Sequence, residues 1–295
     1  MKSEYTLPLF YQYATSVIPQ SADNVISGIQ KLAESIKNGL NVIAAPRAMG
    51  KSTLALTIAI NLAEQGKRVL YCTTQHQVRR NFARYLCNKA GVKMPLNPSA
   101  EDRTRLVNAF KDVNGLHLDY DLLTLYSIQY LCNKIYREFN EQYDYIFVDS
   151  INDILDDDFR CILFKDKFIF HELTSVSRIP IIAVNRLIIL PGEHYDKIGR
   201  VRATSDFWAG SDYDYVLPAN IYFPFRPEYY RVCQDERTGE DIRRRLYVYR
   251  IELPEKNEDI VQLVFDGVNC CIYDLESQNT RNIENPLPPI DENIV

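Results

Sequence analysis

The 295-residue sequence lacks any apolar run near the roughly 20 residues that a membrane-spanning helix needs. Its first residues, MKSEYTLPLFYQYATS, also lack the basic flank and apolar centre of a signal peptide. We therefore expect a cytoplasmic protein with no membrane partner.

Cysteine patterns typical of metal sites are missing as well. No CxxC pair occurs, and no histidine stands near a cysteine at metal-ligand spacing. We expect reduced, mostly buried thiols, with neither zinc nor disulfides. The seven cysteines are Cys72, Cys87, Cys132, Cys161, Cys233, Cys270 and Cys271.

The chain has no excess of positive charge, since its net charge is −5. This argues against binding nucleic acid over the whole surface, although a local basic stripe could still contact phosphates. Two candidates are Arg79-Arg80 and Arg243-Arg244-Arg245, for which a solvated surface is the commoner interpretation. A composition of 46% hydrophobic and 25% charged residues excludes disorder throughout the chain.

Short apolar runs alternate with helical patterns over most of the chain. This alternation is typical of a parallel sheet covered by helices on both faces, so we predict an α/β core. The predicted strands are 41–45, 69–72, 122–125, 145–148 and 181–184. The predicted helices are 51–64, 78–89, 128–140 and 165–177, preceded by one that carries Ile26, Ile29, Leu32 and Ile36.

The pattern changes after about residue 205, where β-branched and aromatic runs follow one another without helices between them. We predict antiparallel strands that extend the sheet, with QDERTGED as a hairpin tip. These strands are 213–223, 244–252, 259–265 and 270–273. The predicted organisation is an N-terminal segment and helix (1–38), one domain (39–275) and a flexible C-terminal tail (276–295).

A phosphate-binding loop is the strongest chemical signal, carried by AAPRAMGKST between a strand and a helix. Small residues let backbone N–H groups approach phosphates, and the helix N-terminus adds partial positive charge. Lys51 would reach the β and γ phosphates of ATP, and Ser52 would ligate Mg²⁺. The first glycine of the usual GxxxxGK[ST] pattern is replaced by Ala45. The predicted loop residues are Ala45, Pro46, Arg47, Ala48, Met49, Gly50, Lys51, Ser52 and Thr53.

Asp149 is the second predicted part of this site. It ends the apolar run Tyr145 to Val148, and an acid that associates with Mg²⁺ belongs at the carboxyl end of a neighbouring strand. The alternative is an Asp that only caps a turn. We predict that Ser52 and Asp149 together hold the metal.

These residues resemble the C-terminal motor domain of the DnaB-type replicative helicases. The loop has that family's usual Met before the Gly, and weaker similarity runs through 64–71, 143–150, 177–186 and 261–267 in the family's order. The resemblance implies a RecA-like P-loop NTPase fold and a ring, usually of six subunits. It also implies ATP at the subunit interfaces and single-stranded DNA in the central channel.

Several positions depart from the family pattern. The family's catalytic glutamate corresponds to Gln75, and an amide cannot accept a proton from water as a carboxylate does. Its sensor glutamine corresponds to Arg186, which would contact a γ-phosphate or pair with an acid. Its trans-acting basic residue matches Arg250, or Lys256 if the alignment slips. The segment INDILDDDFR, where the family's DNA-contacting loops lie, would repel a phosphate backbone.

Two functions remain open from the sequence. One is a DnaB-like ATPase that translocates on single-stranded DNA in the replication of a phage or mobile element. The other is a weakly hydrolysing nucleotide-binding adaptor that assembles with partner proteins and acts as a switch. RecA-like recombinases and circadian-type ATPases share the loop, but Met49 and the aromatic C-terminal strands make them less suitable.

Overall fold

In the part of the chain that the structure describes, ten strands form one mixed sheet. The computed structural model describes residues 25–92, 99–123, 128–151, 165–186, 218–230, 234, 239–253, 257–266 and 271–275. The predicted tail (276–295) and most of the acidic segment 151–160 lie outside these residues. The predicted domain boundaries stay predictions.

The strands follow the order β1-β9-β8-β7-β2-β6-β5-β3-β4 across the sheet, and β10 pairs with β9 beside β1. Pairing is parallel from β7 to β4 and between β1 and β9. It is antiparallel from β7 through β8 and β9 to β10. The strands are β1 Val25–Ser27, β2 Leu40–Ala45, β3 Val69–Thr73, β4 Leu116–Asp119, β5 Tyr145–Asp149, β6 Ile181–Arg186, β7 Asn220–Phe225, β8 Arg245–Glu252, β9 Asn257–Asp266 and β10 Cys271–Asp274.

Helices connect the parallel strands and cover the sheet. The helix Ile128–Lys134 is continued by a π-helical turn, Ile135–Phe139, and by a last turn, Asn140–Gln142. In the described part of the chain, no helix has the length and apolarity that a bilayer crossing requires. The helices are α1 Ile29–Glu34, α2 Lys51–Glu64, α3 His76–Ala90, α4 Ala100–Lys111, α5 Ile128–Lys134 and α6 Lys165–Val176.

The two faces of the sheet carry separate hydrophobic clusters because successive side chains of a strand point to opposite sides. On one face, Ile43, Phe147 and Val184 pack with residues of α1, α2 and α3. On the other face, Val42 and Val148 pack with residues of α5 and α6. Because both faces are covered, β3 and β5 are almost wholly apolar, and this made them recognisable in the sequence.

The structure confirms the predicted fold, a mainly parallel α/β sheet with helices on both faces and an antiparallel C-terminal extension. One detail differs, because β7 joins the sheet parallel to β2 and the antiparallel pairing starts only with β8. The predicted hairpin tip falls between β7 and β8, where Gln234 bridges Asp241. The four described cysteines, Cys72, Cys87, Cys132 and Cys271, are buried free thiols.

The helix predicted around Ile26 starts later than its apolar spacing suggested. Ile26 lies in β1 opposite Val261, and α1 begins only at Ile29. Gly28 has a φ of 113°, and the Ile29 N–H donates to Asp274 Oδ1 at 2.6 Å. This contact with β10 separates the strand from the helix, so a tertiary interaction decided a boundary that the local sequence could not.

The strand predicted at 122–125 is wrong at Leu122 and Leu123, the two of its residues that the structure describes. The strand in this region is β4, and Leu122 and Leu123 are buried in the turn after it, while 124 and 125 lie outside the described residues. The Asp119 carboxylate accepts the backbone N–H groups of Asp121 and Leu122, both at 2.9 Å, and so ends the strand. An apolar run here marks core packing in a turn.

Helix α4 was not predicted. Among its described residues only Ala109 is buried, so the helix has no apolar face of the kind that sequence periodicity reveals. Its start carries a capping box, in which the Asp102 N–H donates to Ser99 Oγ at 3.1 Å and the Ser99 N–H donates to Asp102 Oδ2 at 3.2 Å. That spacing of Ser and Asp was the available signal.

The junction between α4 and β4 generates a test of the fold. A Cβ added at Gly115 would overlap the backbone oxygen of Lys67, and the Gly115 carbonyl accepts the Val69 N–H at 2.8 Å. We expect Gly115→Ala to lower the free energy of unfolding by about 1 to 3 kcal/mol through forced backbone shifts. Urea unfolding, with the exposed Asn114→Ala in the same turn as control, measures this. Equal stability of the two variants would contradict the packing described here.

Candidate functional site

The carboxyl ends of the parallel strands meet at one edge of the sheet. Ala45 at the end of β2 pairs in register with Arg186 at the end of β6. Asp149 at the end of β5 pairs with Val184 of β6 and Thr73 of β3. In a parallel sheet this is the edge where ligands bind. The register therefore brings the predicted site residues to one place.

The loop between β2 and α2 makes a tight turn toward this edge. Ala48 has a φ of 64° and Gly50 a φ of 85°, both in the left-handed region. Gly50 is the N-cap of α2, and within the described residues no side chain caps that helix start. The N–H groups of the first turn therefore point into the space above the loop, as an anion site requires.

Side chains from the C-terminal part of the sheet contact the loop in three places. Met49 is 1% exposed and packs in a small cluster with Phe225 and Tyr247. The Arg226 guanidinium donates to the Ala48 carbonyl at 3.0 Å and lies 3.9 Å from the centre of the Phe265 ring. That ring is in turn 3.1 Å from where a Cβ on Gly50 would be. Residues of the C-terminal strands and of the turn after β7 thus pack against the loop and stabilise its conformation.

Lys51 lies folded back against the loop, where its ammonium group donates to the Pro46 carbonyl at 2.6 Å. Burial lowers the pKa of Lys51 to about 8; Asp149 raises that pKa, and the nearby Arg186 and Arg47 lower it. A charged amine held in a partly buried, positively charged setting is stabilised by a bound anion.

Ser52 and Asp149 are directly hydrogen bonded. Ser52 Oγ donates to Asp149 Oδ1 at 3.0 Å, and Tyr71 Oη donates to Asp149 Oδ2 at 2.8 Å. Asp149 and Tyr71 are both 0% exposed. Burial raises the pKa of Tyr71 well above its usual value, so its hydroxyl stays a donor. A hydroxyl and a carboxylate oxygen side by side are the ligand types that Mg²⁺ prefers.

Gln75 and Arg186 border the same cleft, which has a volume of about 280 Å³ and also exposes Ser52 and Thr53. Gln75 is the N-cap of α3, and its Oε1 lies 3.4 Å from Ser52 Oγ. Among the described lining residues none is acidic, and Gln75 supplies an amide. Its correspondence to the family's catalytic glutamate stays a prediction.

Arg250 lies elsewhere. It is in the middle of β8, opposite Tyr222 and Asp259, and forms ion pairs with Asp259 and Glu252. A residue that acts in trans would contact the nucleotide of a neighbouring subunit and need not line the cleft of its own subunit. The predicted trans-acting role of Arg250 therefore stays a prediction. Of the acidic segment after Asp149, only Ile151 falls within the described residues.

A second, larger cavity of about 390 Å³ runs along α2, α3 and β10. Its charged lining groups are engaged with each other, since the Glu64 carboxylate accepts from both Lys89 and Tyr85. The smaller cleft is the better candidate, because the start of α2, Lys51 and Ser52 line it, and the Ser52 hydroxyl is hydrogen bonded to the buried Asp149 carboxylate.

Two residues of this site were missed in the sequence. Tyr71 had a signal, since it is a hydroxyl-bearing residue within a buried run two positions before the strand ends. Arg226 had none, because its contact with Ala48 joins positions 178 residues apart.

The site's geometry suits a magnesium polyphosphate. The loop offers backbone N–H donors and a buried amine, and the Ser52–Asp149 pair offers oxygen ligands beside them. Ala45 in place of the usual glycine is accommodated as a 2% exposed residue at the strand end.

Two solved structures share this fold. The first is of a DnaB-like replicative helicase, described with its interactions with primase; it has a TM-score of 0.59 at 15% identity and covers 92% of this chain and 68% of its own. The second is described as an ATPase domain, with a TM-score of 0.62 at 15% identity, covering 90% of this chain and 96% of its own. At such low identity these likenesses establish the fold alone.

Sequence comparison with curated proteins finds no significant match. The model of the family described as DnaB-like helicase C terminal domain, however, matches residues 20–167, which is half of the chain. That range contains the loop, Gln75 and Asp149. The chain therefore belongs to the family of DnaB-like helicase C-terminal domains.

Proposed function

We propose that this protein is a RecA-fold ATPase that binds ATP and Mg²⁺ in the cleft above residues 45–53. The observation that carries the proposal is the 3.0 Å hydrogen bond between Ser52 Oγ and Asp149 Oδ1, next to the free N-terminus of α2. It joins the two parts of a P-loop site that lie 97 positions apart in the sequence.

The loop residues bind the phosphates. Ala48 and Gly50 turn the backbone so that N–H groups of the first turn of α2 face the phosphate oxygens. Lys51 exchanges the Pro46 carbonyl for the β and γ phosphates, since a phosphate is a stronger partner for an ammonium group than a neutral carbonyl. Thr53 contributes its backbone N–H.

Ser52 and Asp149 would hold the metal. A bound Mg²⁺ neutralises charge that develops on the phosphates during transfer. Arg186, at the end of β6 and in the lining of the same cleft, would contact the terminal phosphate. Gln75 would orient a water by hydrogen bonding but cannot take its proton, so the proposed hydrolysis is slow.

The wider role follows the family. We propose a ring of copies of this chain, six in the family's usual form, that couples ATP turnover to movement along single-stranded DNA. Arg250 would act on the nucleotide of the neighbouring copy. The pathway we favour is replication of a phage or mobile element, for which the family membership is the support.

A nucleotide-dependent adaptor is the second candidate. It is favoured by one specific observation, which is that the described lining residues include Gln75 but no glutamate or aspartate. In this function the protein would bind ATP, turn it over little, and change its assembly with partner proteins. The basic stripe Arg243-Arg244-Arg245 offers little support for DNA binding. Arg243 forms an ion pair with Asp241, and Arg245 forms one with Glu240.

ATP hydrolysis with and without single-stranded DNA separates the two candidates. For a motor we expect DNA-stimulated turnover that Lys51→Ala abolishes, because the phosphate contact is lost. For an adaptor we expect tight nucleotide binding with negligible turnover, and a gain of about 100-fold or more in Gln75→Glu through restored base catalysis.

Lys51→Ala also serves as the control for contaminating ATPases in the Gln75→Glu preparation. Failure of the wild-type protein to bind any nucleotide in the presence of Mg²⁺ would contradict both candidates.

The pH dependence of nucleotide binding tests the role of Lys51. A bound triphosphate raises the pKa of Lys51 above its free value of about 8, so the complex holds more protons than the free protein above that pH. Affinity should therefore be constant just below pH 8 and fall by up to about tenfold per pH unit above it.

Titration of a fluorescent ATP analogue at a series of pH values measures this fall. Lys51→Ala should bind more weakly and show a flat profile above pH 8. An unchanged slope in that variant would assign the proton to another group.

A further inference from the structure

Tyr71 makes a contact to Asp149 that the proposed phosphate and metal chemistry does not explain. Its hydroxyl donates to Asp149 Oδ2 at 2.8 Å, while Ser52 Oγ occupies the other oxygen, Oδ1. We propose that Tyr71 is a positioning residue that fixes the orientation of the Asp149 carboxylate for the metal. The inference rests on the proposed function of the cleft.

The sheet explains why a tyrosine reaches this carboxylate. In the register between β3 and β5, Asp149 lies opposite Thr73 and Phe147 lies opposite Tyr71. Tyr71 is thus the diagonal neighbour of Asp149 on the same face, a distance that an aromatic side chain can span. A phenylalanine here could pack equally well but would not reach the carboxylate with a donor.

The ring itself has little freedom. Tyr71 is 0% exposed, and its ring stacks on that of Phe147 with centroids 5.4 Å apart and an angle of 11° between the planes. The hydroxyl is also 3.4 Å from the Ser52 carbonyl, so it stands between the start of α2 and the end of β5. A donor fixed in this way restricts the carboxylate to one rotamer.

This restriction matters because the two oxygens of Asp149 then have different tasks. Oδ2 accepts the hydrogen bond from Tyr71, and Oδ1 accepts the one from Ser52, which lines the cleft. Partners behind a ligating group orient it, and their removal commonly weakens metal affinity by about 10- to 100-fold. Tyr71 would act on metal binding through Asp149, without touching the metal.

The test compares Tyr71→Phe with Tyr222→Phe. Tyr222 is also a buried tyrosine of this sheet, but its hydroxyl is bonded to Ser35 Oγ at 2.9 Å and not to Asp149. Binding of a fluorescent ATP analogue is titrated with Mg²⁺ and repeated in EDTA. We expect Tyr71→Phe to raise the Mg²⁺ concentration at half-saturation by about tenfold, with the metal-free affinity unchanged. Tyr222→Phe should match the wild type in both.

The Asp149→Asn background supplies a second readout. If Tyr71 acts through the carboxylate, adding Tyr71→Phe to Asp149→Asn should cause no further shift in the Mg²⁺ requirement. An additive shift would overturn the inference. So would a Tyr71→Phe protein that fails to fold or that loses metal-free binding, since either result would assign the hydroxyl to stability.

Failure of this inference is distinguishable from failure of the proposed function. A wild-type protein whose nucleotide binding does not respond to Mg²⁺ would remove the proposed metal site altogether. A wild type that responds to Mg²⁺, with Tyr71→Phe giving the same titration, would leave the ATPase proposal intact and remove only the role of Tyr71.

Discussion

The alignment of parallel strand ends is the constraint on which the site depends. Because β2, β6, β5 and β3 run in one direction and in fixed register, Asp149 and Thr73 lie level with Val184, and Ala45 and Arg186 follow two residues further along their strands. All four strands therefore end at the same edge of the sheet. The strand register alone therefore brings Ser52, which follows the loop after β2, next to the buried Asp149 carboxylate. A shift of one residue in any of these strands would turn its side chains to the opposite face and dismantle the cleft.

The antiparallel strands support this arrangement from the side. Arg226, just after β7, binds the Ala48 carbonyl and stacks on Phe265 of β9, and the Phe265 ring lies against Gly50. The loop is thereby tied to the C-terminal part of the sheet as well as to the strand and helix that flank it. Because Arg226 follows β7 directly and bonds the Ala48 carbonyl, a movement of β7 relative to β2 would displace the backbone of the loop.

The sequence was most informative where one local pattern had one structural solution. Buried parallel strands and the turn at Gly50 were predictable because their apolar runs and small residues allow few alternatives. The start of α1 and the end of β4 were not, because Asp274 and Asp119 decide them through specific hydrogen bonds. Lys51, Ser52 and Asp149 were chosen as candidates from residue type and position; the fold brings Ser52 and Asp149 together, and their role as nucleotide and metal ligands stays a prediction. Arg226 and Tyr71 act through contacts that only the register of distant strands creates.

The proposed function requires the loop after β2 and Asp149 to enclose together the metal of a bound metal-triphosphate. Electron-nuclear double resonance of the protein with ATP and Mn²⁺ in place of Mg²⁺ tests it most directly, because the coupling of Mn²⁺ to ³¹P reports bound phosphates. We expect a protein-held Mn²⁺ coupled to phosphorus, with a signal that Ser52→Ala and Asp149→Asn each diminish. A spectrum identical to that of free Mn²⁺ and ATP, or one that neither substitution alters, would contradict it.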